Sequence, residues 1–147
     1  MDDVPSSILF ACTWNSVRSP MAAGIMKSIV GNSINIDAVG VHKGEIDAFT
    51  VAVLNEGGID EADHIPKTFR DLNNASFNLV ISLSPEAQHS AVELTRTSNC
   101  YVEFWHTMDP SIIDGNRETR LDAYRNIRDQ LRKKLLQRFS ISSPPIV

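Results

Sequence analysis

The sequence predicts an α/β fold: a single three-layer domain with one four-stranded parallel sheet and helices on both faces. Three observations predict it. Short apolar runs alternate with longer helical stretches four times along the chain, the pattern of parallel strand–helix units. The 147 residues suit one domain with a core of its own. No internal repeat, linker or low-complexity stretch divides them.

Residues 8–11 (Ile-Leu-Phe-Ala) make the first strand, which ends at Cys12. After a polar loop, Pro20 opens a helix whose Met21, Ile25 and Ile29 fall four apart on one face, and Gly31 stops it. Residues 34–39 give a second strand, and a helix through Val51 and Leu54 ends at Gly57-Gly58. Residues 59–74 have weak periodicity and read as loop with one short helical turn. The near-continuous apolarity of residues 77–83 is that of a buried third strand. Ser84 then caps a helix that has Pro85 at its first position. Residues 100–105 form the fourth strand. The last helix carries Leu121, Tyr124, Ile127 or Arg128, Leu131 and Leu135 on one stripe, so it must dock on something apolar. Residues 1–139 read as the domain and 140–147 as a frayed tail.

Composition narrows the function. An apolar share of 42% with 22% charged residues excludes disordered and collagen-like classes. The net charge of −4 argues against a nucleic-acid binder. No apolar run approaches the ~20 residues of a membrane span, and the acidic start MDDVPSS is no secretory signal. Two cysteines, Cys12 and Cys100, without C-x-x-C or zinc spacing, point to a cytoplasmic protein with reduced thiols and no structural metal. A bacterial source is the expectation. Residues 117–138 hold eight basic side chains against three acidic ones, a net of +5; a solvated helix face is the expected role, ahead of a surface for an acidic partner.

The chemistry lies at the end of the first strand, in Cys12-Thr13-Trp14-Asn15-Ser16-Val17-Arg18-Ser19. In a parallel sheet, ligands sit beyond the carboxyl ends of the strands. A loop turning there into a helix N-terminus aims successive backbone N–H groups inward, with the helix dipole behind them, and so cradles an anion. Arg18 adds a planar fork matched to two oxygens of a phosphate-like oxyanion. The same positive field favours the thiolate of Cys12, and the Ser19 hydroxyl is placed to favour it further. Asn15 can brace the loop through its amide. The bland alternative is a buried cysteine beside a surface arginine. The strand before, the helix after and the Ser-Pro that follows Arg18 weigh against it.

The run from Ile8 through Cys12-x5-Arg18 to Pro20-Met21-Ala22 resembles the N-terminal signature of the low-molecular-weight protein tyrosine phosphatases, whose fold and loop the thioredoxin-coupled arsenate reductases share. The resemblance continues through Gly57-Gly58-Ile59-Asp60, His64-Ile65-Pro66-Lys67 and Asp109-Pro110, nearly the whole chain in the family's order. It implies the low-molecular-weight phosphatase fold and two-step phosphoryl transfer. Cys12 attacks phosphorus while Arg18 and the loop N–H groups of residues 13–19 hold the equatorial oxygens. Asp109 protonates the leaving oxygen and then activates water. His64 supports Asn15 by a hydrogen bond. The implied partners are a phosphorylated protein or small phosphoester and oxyanions such as phosphate, sulfate or arsenate; no metal and no cofactor is implied. Read alone, Asp109-Pro110 is equally a turn or a cap. His42, His89 and His106 belong to no constellation.

Four departures bear on substrate range. Trp14 stands where the family usually has glycine, and either walls the entrance or distorts the cradle. Val17 replaces a second cysteine, leaving Cys12 open to progressive oxidation. Ala38 replaces a serine that braces the loop, so one hydrogen bond is expected to be missing. Ser111-Ile112 replace the aromatic pair that flanks the cleft in many tyrosine-directed members, which weakens phosphotyrosine specificity. Cys100 is expected to be a buried hydrophobe with no Cys12–Cys100 relay. Thioredoxin-coupled reduction needs two further cysteines where this chain has Leu83 and Ser84. The alternatives to a phosphomonoester hydrolase are thus an arsenate reductase using an external small thiol, or a low-turnover phosphate- or protein-binding relative.

Overall fold

Four strands, Ser7–Cys12 (β1), Asn35–Gly40 (β2), Leu79–Ser82 (β3) and Tyr101–Phe104 (β4), pair in parallel in the order β2-β1-β3-β4. They belong to a computed structural model that describes residues 5–72 and 75–139. The helices are Arg18–Val30 (α1), Ala48–Asn55 (α2), Pro85–Leu94 (α3) and Arg117–Arg138 (α4). The tail expected at 140–147 lies outside the described residues.

Alternation along the strands sorts the core into two layers. Ile8, Phe10 and Cys12 of β1 face one side with Ile36, Ala38, Leu79 and Ile81, where Met21, Ile25 and Met26 of α1, Val53 and Leu54 of α2 and the Leu121–Tyr124–Ile127–Leu131–Leu135 stripe of α4 cover them. Leu9, Ala11, Val39 and Val80 face the other side, under Ala87 and Ala91 of α3. Ile127, not Arg128, completes the α4 stripe, because Arg128 reaches sideways to the Val53 carbonyl and Glu56.

β3 and β4 are shorter than the apolar runs that announced them. Phe77 is buried but precedes the strand, and Asn78 bonds through its side chain to Ser6 and Ser7 at the start of β1. The Leu83 N–H still reaches the Ala11 carbonyl at 2.8 Å, after which Ser84 breaks away to cap α3 through the Ala87 N–H. β4 is an edge strand, with Tyr101 81% exposed. Cys100 lies just outside it and is half-buried, so the expectation of a fully buried thiol is corrected: an edge position leaves one flank uncovered. Burial still pushes its thiol up from the ordinary cysteine value.

Three of the eight basic side chains of α4 are seen in ion pairs. Arg125 bonds Glu56, Glu118 and Asp122, Arg128 bonds Glu56 and Asp129, and Arg138 pairs with Glu103. These contacts join α4 to the end of α2 and to β4.

Candidate active site

β1 is the switch point of the sheet. From it the chain crosses to β2 on one side, then returns to β3 on the other, and the crevice this opens at a strand's carboxyl end is where α/β ligands bind. Cys12 is the last residue of β1 and Arg18 the first of α1, so the loop between them fills that crevice.

Residues 41–47 strap this loop from outside. The N–H groups of Val41, His42, Gly44 and Asp47 donate to the carbonyls of Cys12, Thr13, Trp14 and Ser16 at 2.8–3.1 Å. A trans peptide points its N–H opposite to its carbonyl, so the N–H groups of Thr13, Trp14, Asn15 and Val17 are turned inward. The Asn15 N–H lies 3.3 Å from the Cys12 sulfur and donates to it. At the other end, α1 has no side-chain cap and no acidic residue in its first turn; the Ser19 N–H donates to the same sulfur at 3.4 Å. Cys12 Sγ therefore occupies the place of a capping oxygen, where backbone donors and helix dipole stabilise negative charge. Ser19 Oγ adds a contact at 3.0 Å.

Asn15 locks the loop. It is fully buried and takes φ 55°, a left-handed conformation that asparagine tolerates better than most residues. Its Oδ1 accepts from the Lys67 N–H and from His64 Nε2, both at 2.9 Å, and its Nδ2 donates to Ser19 Oγ at 2.8 Å. Because Lys67 offers a fixed donor, the amide orientation follows, and His64 must carry its proton on Nε2. Burial holds the His64 imidazole below the usual histidine range, helped by the charges of Lys67 and Lys27. Its Nδ1 lies 3.9 Å from Glu61, a carboxyl that burial pushes up. The histidine singled out in the sequence thus stands against the asparagine it was expected to support. The bond expected to be missing at Ala38 leaves no orphan here: among the described residues the buried side-chain atom without a partner is Thr50 Oγ1, not an atom of Asn15 or Ser19.

Arg18 is buried, donates through Nη1 to the Thr107 carbonyl at 3.0 Å, and holds Nη2 3.9 Å from Asp109 Oδ2. Asp109 divides its two carboxylate oxygens between a turn and Arg18. Its Oδ1 accepts from the Ser111 N–H (2.9 Å) and Oγ (2.7 Å), starting a 3-10 turn, Pro110–Ile112, while Oδ2 turns to Arg18. A cavity of about 220 Å³ opens over Cys12, Val17 and Arg18, with Asp109 and Ser111 on one wall. Trp14, Ser16, Glu45 and Asp47 complete the lining.

Trp14 walls the entrance without distorting the cradle. Asn15, not Trp14, takes the positive φ, and the Trp14 ring packs on His42 with centroids 4.8 Å apart. Several participants escaped the sequence reading. Glu45 and Asp47 reach the cavity from the strap, Thr107 fixes Arg18 by its carbonyl, and Ser84 accepts from Thr13 Oγ1 at 3.0 Å. Asp47, which caps α2 through the Phe49 and Thr50 N–H groups, and Ser84, already read as a cap, had local signals as helix starts but none as parts of the site. Cys100 precedes β4 and lies at the opposite sheet edge from Cys12, roughly 19 Å away by strand rise and spacing. No disulfide spans that distance. The described residues hold no group of three or more His, Cys, Asp or Glu able to bind a metal, and no helix long and apolar enough to cross a membrane.

The family described as low molecular weight phosphotyrosine protein phosphatase matches residues 7–140. An arsenate reductase of Shouchella clausii is 31% identical over 126 residues, 84% of this chain and 88% of that protein. A low-molecular-weight protein tyrosine phosphatase from T. tengcongensis superposes with TM-score 0.72 at 26% identity, covering 89% of this chain and 97% of the other. A tyrosine phosphatase of Erwinia amylovora gives the same TM-score at 18% identity, with 93% and 92% covered, a likeness of fold alone. The strand order, the cysteine loop and these matches agree: the chain belongs to the low-molecular-weight phosphotyrosine protein phosphatase family.

Proposed function

We propose that the protein is a cysteine-dependent phosphomonoester hydrolase of the phosphotyrosine type, working in the cytoplasm through a cysteinyl-phosphate. The observation that carries this reading is the Cys12 sulfur held by the Asn15 and Ser19 N–H groups inside a loop whose free donors face the same point. Arg18 and Asp109 stand at its rim. In the first step the thiolate forms an S–P bond as the ester P–O bond breaks. Asp109 delivers its proton to the leaving oxygen, while Arg18 and the inward N–H groups hold the three phosphoryl oxygens. In the second, the Asp109 carboxylate takes a proton from water, the hydroxyl bonds phosphorus and the S–P bond breaks. Phosphate leaves and Cys12 is a thiolate again.

Metal-independent hydrolysis of p-nitrophenyl phosphate, followed between about pH 5 and 8, tests this reading. Turnover that vanishes in Cys12→Ser and falls in Asp109→Asn supports it. A folded parent that binds phosphate but releases no p-nitrophenol overturns it.

A second reading is favoured by the arsenate reductase relative. The same cradle suits arsenate, and Cys12 would form an S–As bond with loss of water. A thiol from outside the chain would then attack the Cys12 sulfur, giving a mixed disulfide and arsenite. The outside thiol is required because Cys100 sits at the far sheet edge. Arsenite formation with added glutathione, read against p-nitrophenol release, separates the two.

A further inference from the structure

A phosphoester offers the cavity two parts, and the floor accounts for only one. Arg18 is the cation that lines the cavity, and its charge goes to the phosphoryl group. The wall that would meet the leaving group is built differently. Trp14 presents a ring that is 51% exposed, steadied from behind by His42, whose Nε2 lies 3.4 Å from Glu86. Around it stand the carboxylates of Glu45, Asp47 and Asp109. Two of these are engaged. Asp109 is fixed by Ser111, and Asp47 caps α2 with one oxygen while the other accepts from Tyr124 Oη at 2.9 Å. Glu45 is exposed and has no ion-pair partner among the described residues.

The strap fixes the backbone next to Glu45. The Gly44 N–H donates to the Trp14 carbonyl, and a Cβ on Gly44 would lie 2.5 Å from Ser16 Oγ and 3.4 Å from Trp14 Cβ. Glu45 is therefore carried directly against the loop that bears Trp14. An aromatic face beside carboxylates is the chemistry that receives organic cations. Arg117 and Arg120 do not cancel it, since both lie over the Phe49 ring and neither lines the cavity.

We propose that Trp14 and Glu45 form a subsite for positive charge, so that the preferred substrate is an aryl phosphate carrying an ammonium or guanidinium group beside the ester. This rests on the hydrolase reading above and names its substrate class. Glu45 pairs with the cation, and the exposed Trp14 face lies against that cation.

The test compares kcat/KM for 4-(aminomethyl)phenyl phosphate and its neutral counterpart 4-(hydroxymethyl)phenyl phosphate at pH 6.5, in the parent, Glu45→Gln and Trp14→Ala. The parent is expected to favour the cationic ester by about tenfold, as one exposed ion pair and one cation–π contact allow. That preference is expected to shrink toward one in Glu45→Gln, to fall in Trp14→Ala, and to weaken in the parent as salt is raised. A parent ratio at or below one overturns the inference, as does a ratio unchanged in Glu45→Gln. A purely apolar aryl pocket would give either result. Failure of the parent on both esters overturns the hydrolase reading itself, and the subsite with it. The salt series needs no variant, so a misfolded Glu45→Gln does not shield the proposal.

Discussion

Gly40, the last residue of β2, is where one methyl group should do most damage to the cradle. Its Cα lies against the backbone of the loop, and a Cβ there would come within 2.5 Å of the His42 carbonyl, 2.6 Å of the Asn15 nitrogen and 2.8 Å of the Trp14 carbonyl carbon. Ordinary contact begins at 3.4 Å, so these backbone atoms must move by roughly 0.6–0.9 Å. None of them belongs to a flexible side chain. Gly40 cannot retreat either, because its own N–H is tied to the Lys67 carbonyl at 2.8 Å. The atoms pushed are those that aim the Asn15 N–H at the Cys12 sulfur. Overpacking of this kind costs about 1–3 kcal/mol of stability, and a displacement near 1 Å at a reacting centre costs ~100-fold in rate. Gly40→Ala is therefore expected to lower kcat/KM for p-nitrophenyl phosphate by ~100-fold. Its affinity for inorganic phosphate by titration calorimetry should fall too, with the fold kept by circular dichroism. Gly57→Ala is the control, since its Cβ meets only the Leu54 carbonyl at 3.7 Å. A Gly40→Ala enzyme within threefold of the parent would refute the claim that the strap shapes the cradle.

Other consequences can be checked in the same preparations. Ser19→Ala removes a hydroxyl 3.0 Å from Cys12 Sγ and leaves the Asn15 amide one partner short; alkylation of Cys12 by iodoacetamide at neutral pH should slow, and kcat/KM should fall about 10- to 100-fold. Bonds from Arg125 and Arg128 hold the Glu56 carboxyl at about 2, against 4.5 ordinarily. A lowered folded value stabilises above the ordinary one, so this contribution is lost as pH falls from 4.5 toward 2. Glu56→Gln should flatten that part of the acid-unfolding curve, with a modest amplitude because the pair is partly exposed. Glu61 has the opposite sign. Burial raises its folded value, so stability is lost as pH climbs from 4.5 through that value. Thermal midpoints of Glu61→Gln should lack this decline, and an unchanged slope would remove Glu61 from the account.

The legible part of the site was the part written in consecutive residues. Cys12 through Pro20 carried strand end, loop and helix start in one stretch, so the proposed nucleophile, its loop and the arginine could be read together. The strap was invisible because its work is done by backbone N–H groups, which residue types do not report. Gly40 and Gly44 were its trace, glycines whose use shows only when the loop they touch is in place. Thr107 likewise acts through a carbonyl. The strand limits failed for a related reason. Phe77 and Leu83 are buried like strand residues, but long-range partners, not apolarity, decide where a ladder stops. Cys100 looked like core because its run is apolar, and the sheet order then placed that run at an edge.

The central claim is that the Cys12 sulfur takes the phosphoryl group, and mass spectrometry of acid-quenched enzyme during steady-state turnover of p-nitrophenyl phosphate tests it most directly. The account predicts a population heavier by one phosphoryl group, mapped by proteolysis to the peptide containing Cys12. That population should rise in Asp109→Asn, where water attack is slowed, and be absent in Cys12→Ala. Turnover at an undiminished rate in Cys12→Ala, or phosphate found on any other residue, would contradict it.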